Sequence, residues 1–185
     1  MPEQSVSGFS YKSDTVAAFK TILEAWQPSD LDDKRRDLPK TEKGWERSLV
    51  DHVRLMVPSD LNVIPQGGAG MKHGDIVVER KGLLGGIVRD IIELKMGLST
   101  TGNYQRLIGQ VDDYLKEGGS TIVVICGEDT DPKLIKQLET RYPSTTSKLG
   151  IFWKKSSKKG VSQLFPREGG GFELPSVKLP TFKIG

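Results

Sequence analysis

Two carboxylates and one lysine, placed in two neighbouring apolar runs, are the residues of this chain best suited to chemistry. Asp75 lies near the start of HGDIVVERK, and Glu93-Leu94-Lys95 ends IVRDIIELK. Side chains alternate along a strand, so Glu93 and Lys95 project from one face, with backbone positions about 7 Å apart. Burying an acid and a lysine is costly unless they are paired or bound to a metal. Taken by itself, the triplet Glu93-Leu94-Lys95 is explained by an ordinary ion pair between Glu93 and Lys95. The presence of Asp75 on the neighbouring strand favours a functional site instead.

The two runs are joined by GLLGG, which predicts a hairpin of two hydrogen-bonded strands. With this arrangement the chain resembles the PD-(D/E)XK nuclease superfamily over about residues 45–127, in the order helix, strand, hairpin, helix and strand. Gly74 stands where that family has a proline. The resemblance implies a restriction-endonuclease-like α/β core, in which a mixed central sheet is flanked by helices.

The same resemblance implies a metal-dependent active site. Asp75 and Glu93 would bind one or two Mg²⁺ ions through oxygen, with Mn²⁺ as a substitute. Lys95 would orient or help deprotonate the attacking water, or offset charge on the phosphate. The chemistry is hydrolysis of a phosphodiester bond.

Glu46 is a further candidate ligand and catalytic residue on the second predicted helix. The apolar stripe of that helix contains Val50, Val53 and Val57, and four residues before Val50 is Glu46. In the Holliday-junction-resolvase-like branch of the superfamily, a glutamate of the first core helix joins the metal site, and Glu46 resembles it. The alternative is that Glu46 lies at the edge of the stripe and reaches water.

Gln110 and Tyr114 lie four residues apart on the third predicted helix and therefore on one face. The spacing resembles the Q-x-x-x-Y element of exonuclease-like members, which implies that both position substrate and that Gln110 serves catalysis. Gln105, one turn earlier, is an alternative positioning residue. The competing interpretation is purely structural: Tyr114 packs in the core beside Leu107, and Gln110 is exposed to solvent.

A lysine cluster near the carboxyl end is a candidate phosphate contact. It consists of Lys154, Lys155, Lys158 and Lys159 in KKSSKKG. Most such lysine clusters lie in solvent-exposed loops and bind no ligand. From residue 154 to residue 185 the chain is rich in Lys, Gly and Pro with little periodicity, which predicts an extended basic arm.

The predicted elements favour one α/β domain over residues 1–153, with a core at about 41–153 and an N-terminal helix at 13–27 packed on it. Further helices are predicted at 41–57, 103–117 and 132–142, and further strands at 61–66, 120–126 and 149–153. A strand followed by a helix and another apolar strand favours a parallel pair in a mixed sheet.

Composition limits the class of protein. The chain has 185 residues with a formal net charge of +3, which permits nucleic-acid binding without requiring it. The single cysteine, Cys126, stands in an apolar run and is expected in the core, so a reducing, cytoplasmic location is predicted. We expect no membrane span and no signal peptide.

The sequence therefore predicts a Mg²⁺-dependent nuclease acting on DNA in restriction, repair, recombination or mobile-element biology. RNA cleavage is an alternative. A second alternative is a catalytically silent nuclease-fold protein that binds nucleic acid or a protein partner. A homodimer is expected only by analogy with the superfamily.

Overall fold

The computed structural model describes residues 11–12, 14–28, 39, 41–65, 74–82, 84–143, 145–156 and 158–166. In this part of the chain four α-helices flank a six-stranded mixed sheet. The helices are α1 (Thr15–Ala25), α2 (Glu42–Met56), α3 (Thr101–Tyr114) and α4 (Pro132–Arg141). Each begins after a side chain that accepts a hydrogen bond from a backbone N–H of the first turn; these caps are Asp14, Thr41, Thr100 and Asp131.

The strands lie side by side in chain order. They are β1 (Asn62–Pro65), β2 (Ile76–Lys81), β3 (Ile87–Met96), β4 (Thr121–Cys126), β5 (Leu149–Lys154) and β6 (Ser162–Phe165). Strands β3, β4 and β5 are parallel, and the other pairs are antiparallel. The predicted hairpin and parallel pair are confirmed, as is the mixed α/β class.

Both faces of the sheet are buried at β4, which explains why that strand is apolar apart from its first residue, Thr121. On one face, Ile92 and Leu94 of β3 pack with α1 and α2. On the other, Val123 and Ile125 of β4 pack with α3 and α4. Glu93 and Lys95 alternate with Ile92 and Leu94 and therefore face the α3 side.

Asp90 is a fully buried acid at the opposite end of β3 from Lys95. It accepts hydrogen bonds from the Ser120 amide at 2.8 Å, from Arg80 Nε at 3.1 Å and from the Tyr11 hydroxyl at 3.3 Å. Burial, together with the charge of Asp90, raises the pKa of Tyr11. This network links Tyr11, which precedes α1, to the hairpin, and no local pattern in the sequence predicts it.

The sheet continues past residue 153, where the sequence analysis ended the domain. Lys154 is the last residue of β5, and β6 pairs antiparallel with β5. An extended arm beginning at residue 154 is therefore wrong for residues 154–165. The four-residue β6 is too short to show a period of two. Residues 167–185 of the predicted arm lie outside the described residues.

Within the same described part, no helix combines the length and apolar character that crossing a membrane requires.

Candidate active site

Asp75 and Glu93 face each other where β2 and β3 begin to separate. The Asp75 amide donates to Ile92 O at 3.0 Å, and Ile76 pairs with Ile92, so the register sets Asp75 opposite Glu93. The Asp75 carboxylate accepts a hydrogen bond of 2.7 Å from the Leu94 amide. Relative exposure is 7% for Asp75 and 1% for Glu93. The two acids predicted to act together are therefore adjacent and buried.

Glu93 is held by three side chains that surround its carboxylate. Lys95 Nζ lies 2.6 Å from Oε1, so the predicted shared face of Glu93 and Lys95 is confirmed. Gln110 Nε2 donates to the same oxygen at 2.9 Å, and the Tyr114 hydroxyl donates to Oε2 at 2.8 Å. Helix α3 thus places the side chains of Gln110 and Tyr114 within hydrogen-bonding distance of Glu93 on β3. Tyr114 is buried, as expected if it packs in the core, but its hydroxyl also contacts the Glu93 carboxylate and so belongs to the site.

Asp75 and Glu93 are two acids of like charge that are both shielded from solvent, and this shifts the pKa values in the cluster. Burial and then the charge of Glu93 raise the pKa of Asp75 to about 7. Burial alone would lower the pKa of Lys95. Its hydrogen bond to Glu93 and the negative charges around it outweigh burial and raise that pKa. Lys95 therefore stays protonated at neutral pH.

The backbone conformation before Asp75 requires glycine at position 74. Gly74 has φ +70°, which proline cannot adopt because its ring fixes φ near −65°. Its amide also donates a 3.1 Å hydrogen bond to the Tyr114 hydroxyl, and proline has no N–H to donate. A Cβ at Gly74 would lie 2.5 Å from a methyl group of Ile91. The positive φ and the hydrogen bond to Tyr114 therefore both favour glycine over proline at position 74.

Gln110 carries an unpartnered buried atom. While its Nε2 donates to Glu93, its Oε1 has no hydrogen-bond partner among the described residues. A buried acceptor without a donor is unfavourable, so a water or another donor beside Glu93 would relieve it. Gln105 is exposed and lies five residues earlier, on a different side of α3. It does not join this cluster.

Helix α2 places Glu46 and a second acid, Glu42, near the cluster. Glu46 is partly buried, and its charge contributes to the raised pKa of Asp75. Burial also raises the pKa of Glu46 itself. Glu42 accepts a 3.0 Å hydrogen bond from the Met96 amide and lies 3.9 Å from Lys95 Nζ. Glu42 was not among the predicted site residues, although it lies one turn before Glu46 and hence on the same helix face.

The lysine cluster divides into one buried residue and three exposed ones. Lys154 is fully buried, and its Nζ donates to Lys158 O at 2.6 Å and Gly160 O at 2.8 Å. Burial lowers its pKa to about 8. A phosphate contact by Lys154 does not fit this geometry, since its ammonium closes the turn after β5. Lys155, Lys158 and Lys159 are exposed, with Lys155 Nζ 4.1 Å from the ring centre of Trp153.

The arrangement offers a pair of hard oxygen donors with a protonated lysine beside them. Among the residues that the structure describes, no group of three or more His, Cys, Asp or Glu side chains is arranged to hold a metal ion.

Comparisons of the chain with family models, with curated proteins and with solved structures found no match.

Proposed function

We propose that the protein is a Mg²⁺-dependent nuclease that hydrolyses phosphodiester bonds in DNA. The observation that carries the proposal is the buried pair of Asp75 and Glu93, with Lys95 Nζ 2.6 Å from Glu93. Two adjacent buried carboxylates reduce stability unless a positive charge lies between or beside them. Such a costly arrangement is typical of a functional site.

The order of elements supports the finer fold assignment. Helix α2, strand β1, hairpin β2–β3, helix α3 and strand β4 follow one another as in the core that the PD-(D/E)XK resemblance implies. On this assignment the protein has a restriction-endonuclease-like core, extended by α4, β5 and β6.

The residues present fit Mg²⁺. This ion prefers oxygen, keeps several waters and is commonly held by one or two carboxylates together with substrate phosphate. Asp75 and Glu93 supply the two carboxylates. Oε1 of Gln110, which has no hydrogen-bond partner among the described residues, could accept from a water of the ion. Glu46 would not bind the ion directly but would interact with it through a bridging water. An ion held there would supply Lewis-acid chemistry, polarisation of the phosphate and a lower pKa of the attacking water, and Mn²⁺ would substitute for Mg²⁺.

Lys95 contributes positive charge. In the metal-free protein its hydrogen bond to Glu93 and the surrounding negative charges raise its pKa, so it is protonated at neutral pH. Its ammonium donates to phosphate oxygens as negative charge grows on them, and its interaction with Glu93 keeps it in place beforehand. Gln110 and Tyr114 are positioning residues, because both act by holding the Glu93 carboxylate.

One observation favours the rival function, a nuclease-fold protein that binds nucleic acid or a protein without cutting. Both oxygens of Glu93 already accept hydrogen bonds from Lys95, Gln110 and Tyr114. A purely structural buried acid would be satisfied in the same way. The rival does not explain why Asp75 is buried opposite Glu93.

The test is cleavage of plasmid, linear, single-stranded and four-way-junction DNA, and of RNA, with Mg²⁺, Mn²⁺ or EDTA. We expect metal-dependent cleavage that Asp75→Ala and Glu93→Ala each abolish. Glu79→Ala is the matched control, because Glu79 lies on β2 but pairs with Arg89 at 2.9 Å. Undiminished cutting by either site variant, or cutting in EDTA, would refute the assignment. No cutting of any substrate by the folded wild type would favour the rival.

A further inference from the structure

Two carboxylates from different elements close the edge of β3 where strand β2 no longer covers it. Pairing of β2 with β3 ends at Ile76, and the next β3 amides that point to this edge are those of Leu94 and Met96. The Leu94 amide donates to Asp75 at 2.7 Å, and the Met96 amide donates to Oε2 of Glu42 at 3.0 Å. Glu42 is the first residue of α2. This helix therefore continues, through one side chain, the edge that Asp75 begins.

Lys95 lies between these two amides in the chain and has an acid on either side. Its Nζ is 2.6 Å from Oε1 of Glu93 and 3.9 Å from Oε1 of Glu42. Because Glu42 holds the Met96 amide with Oε2, its Oε1 is left for the ammonium. The Lys95 ammonium thus has one acid in direct contact and a second acid just beyond hydrogen-bond distance.

The contact between Lys95 and Glu93 leaves little room for a cation on the same carboxylate. Oε1 of Glu93 accepts from both Lys95 and Gln110, which uses its two lone pairs, and Oε2 accepts from Tyr114. Glu93 is also buried, so a divalent cation bound to either oxygen would repel the nearby ammonium with little screening by water. Cation binding at Glu93 therefore disfavours the position that Lys95 has in this structure.

Glu42 is suited to receive the ammonium that a cation would displace. The distance between Nζ and Oε1 of Glu42 has to shorten by about 1 Å from 3.9 Å to reach that of a charge-assisted hydrogen bond. The flexible four-carbon stem of a lysine permits such a shift. The bond from the Met96 amide holds the Glu42 carboxylate in place meanwhile.

We propose that Glu42 is a positioning residue for Lys95, which moves from Glu93 to Glu42 when a divalent cation occupies Glu93. The inference rests on the metal-dependent function proposed above, but it requires no cleavage. Glu42 thereby keeps the ammonium beside the acids instead of releasing it into solvent.

The experiment is a double-mutant cycle that measures Mg²⁺ affinity by calorimetry, without substrate and at constant ionic strength. The proteins are the wild type, Glu42→Gln, Lys95→Ala and the double variant. Gln keeps an oxygen acceptor for the Met96 amide and removes only the charge. Glu24→Gln is the matched control, since Glu24 is as exposed as Glu42 and lies 3.8 Å from a lysine of its own helix.

We expect Glu42→Gln to weaken Mg²⁺ binding about three- to fivefold when Lys95 is present, because the displaced ammonium loses its acceptor. In the Lys95→Ala background the same change should have little effect, as should Glu24→Gln in the wild type. An equal loss in both backgrounds would mean that Glu42 acts on the cation itself. No loss in either background would leave Glu42 as a support for the Met96 amide alone. Either result would overturn the proposal.

Nuclear magnetic resonance gives a second measurement that does not depend on affinity. In the wild type, Mg²⁺ should strengthen the nuclear Overhauser effect between the ε-protons of Lys95 and the γ-protons of Glu42. An unchanged or weaker effect at saturating Mg²⁺ would contradict the movement. If the folded wild type bound no Mg²⁺, this proposal and the metal-dependent function would both be refuted. The expected binding pattern without cleavage of any nucleic acid would refute only the nuclease function.

Discussion

The carboxylate of Asp75 accepts a 2.7 Å hydrogen bond from the amide of Leu94, the residue between Glu93 and Lys95. Backbone pairing of β2 with β3 ends at this point, and the side chain of Asp75 takes the place of the next strand partner. Asp75 is thus fixed to the backbone of β3, while Glu93 is fixed by side chains of α3 and by Lys95. The separation of the two acids therefore depends both on the sheet, which fixes Asp75, and on the packing of α3, which fixes Glu93.

Asp75→Asn is predicted to stabilise the metal-free protein at neutral and alkaline pH. The pKa of Asp75 rises from 3.8 to about 7 on folding, so the folded state binds more protons between these values. Stability conferred by the protonated acid is present at low pH and is lost as the pH rises through about 7. Asn keeps an acceptor for the Leu94 amide without the charge. We expect a gain of at most about 4 kcal/mol at pH 8.

The measurement is urea unfolding in EDTA at pH 5 and pH 8, with Asp113→Asn as an exposed control. The gain from Asp75→Asn should shrink at pH 5. When Mg²⁺ replaces EDTA at pH 8, only the wild type should be stabilised. A gain that does not change with pH would mean that Asp75 is not the group that titrates.

Lys95→Ala is predicted to slow cleavage by roughly 10²–10³-fold while metal binding persists. An ammonium is not a metal ligand, but it offsets charge in the transition state. Glu93 keeps its hydrogen bonds from Gln110 and Tyr114, so the carboxylate stays in place. Calorimetry with Mn²⁺ and single-turnover cleavage separate the two effects. Lost affinity with a normal rate at saturating metal would assign Lys95 a structural role.

Tyr114→Phe is predicted to destabilise the protein by about 1–3 kcal/mol, because the Gly74 amide and Glu93 each lose a partner. Tyr104→Phe is the matched control. Tyr104 is also buried on α3, but among the described residues no hydrogen bond of its hydroxyl is found. Chemical unfolding of both variants tests the comparison. Equal losses would show that the cost comes from packing and not from the hydroxyl at the site.

Neutralising Lys155, Lys158 and Lys159 together is predicted to reduce the salt dependence of duplex DNA binding. Each lost phosphate contact lowers the logarithmic salt slope by about 0.9. Lys154 is left intact, since it closes the turn after β5. The control neutralises Lys81, Lys116 and Lys148, which are exposed at the opposite end of the sheet. A slope equal to that of the wild type would leave the cluster as a solvated loop.

The hairpin and its acids were predictable because alternation along a strand is a local property. The stripe on α2 likewise located Glu46 near the cluster. The contact between Glu42 and Met96 joins residues 54 positions apart, and no local pattern encodes it. The burial of Lys154 was also hidden, since two backbone carbonyls of the following turn satisfy its ammonium. Local periodicity therefore placed the acids, and tertiary packing decided their partners.

The order of the strands has a consequence for how the protein is made. Because β1 to β6 lie in chain order, each strand adds to the edge left by its predecessor, and none has to enter between two already paired. A chain emerging from the ribosome can form the hairpin first, with Glu93 on its open edge. Every side chain that holds Glu93 has been synthesised by residue 114, before β4 exists. Later strands then enclose an acid whose partners are already at hand.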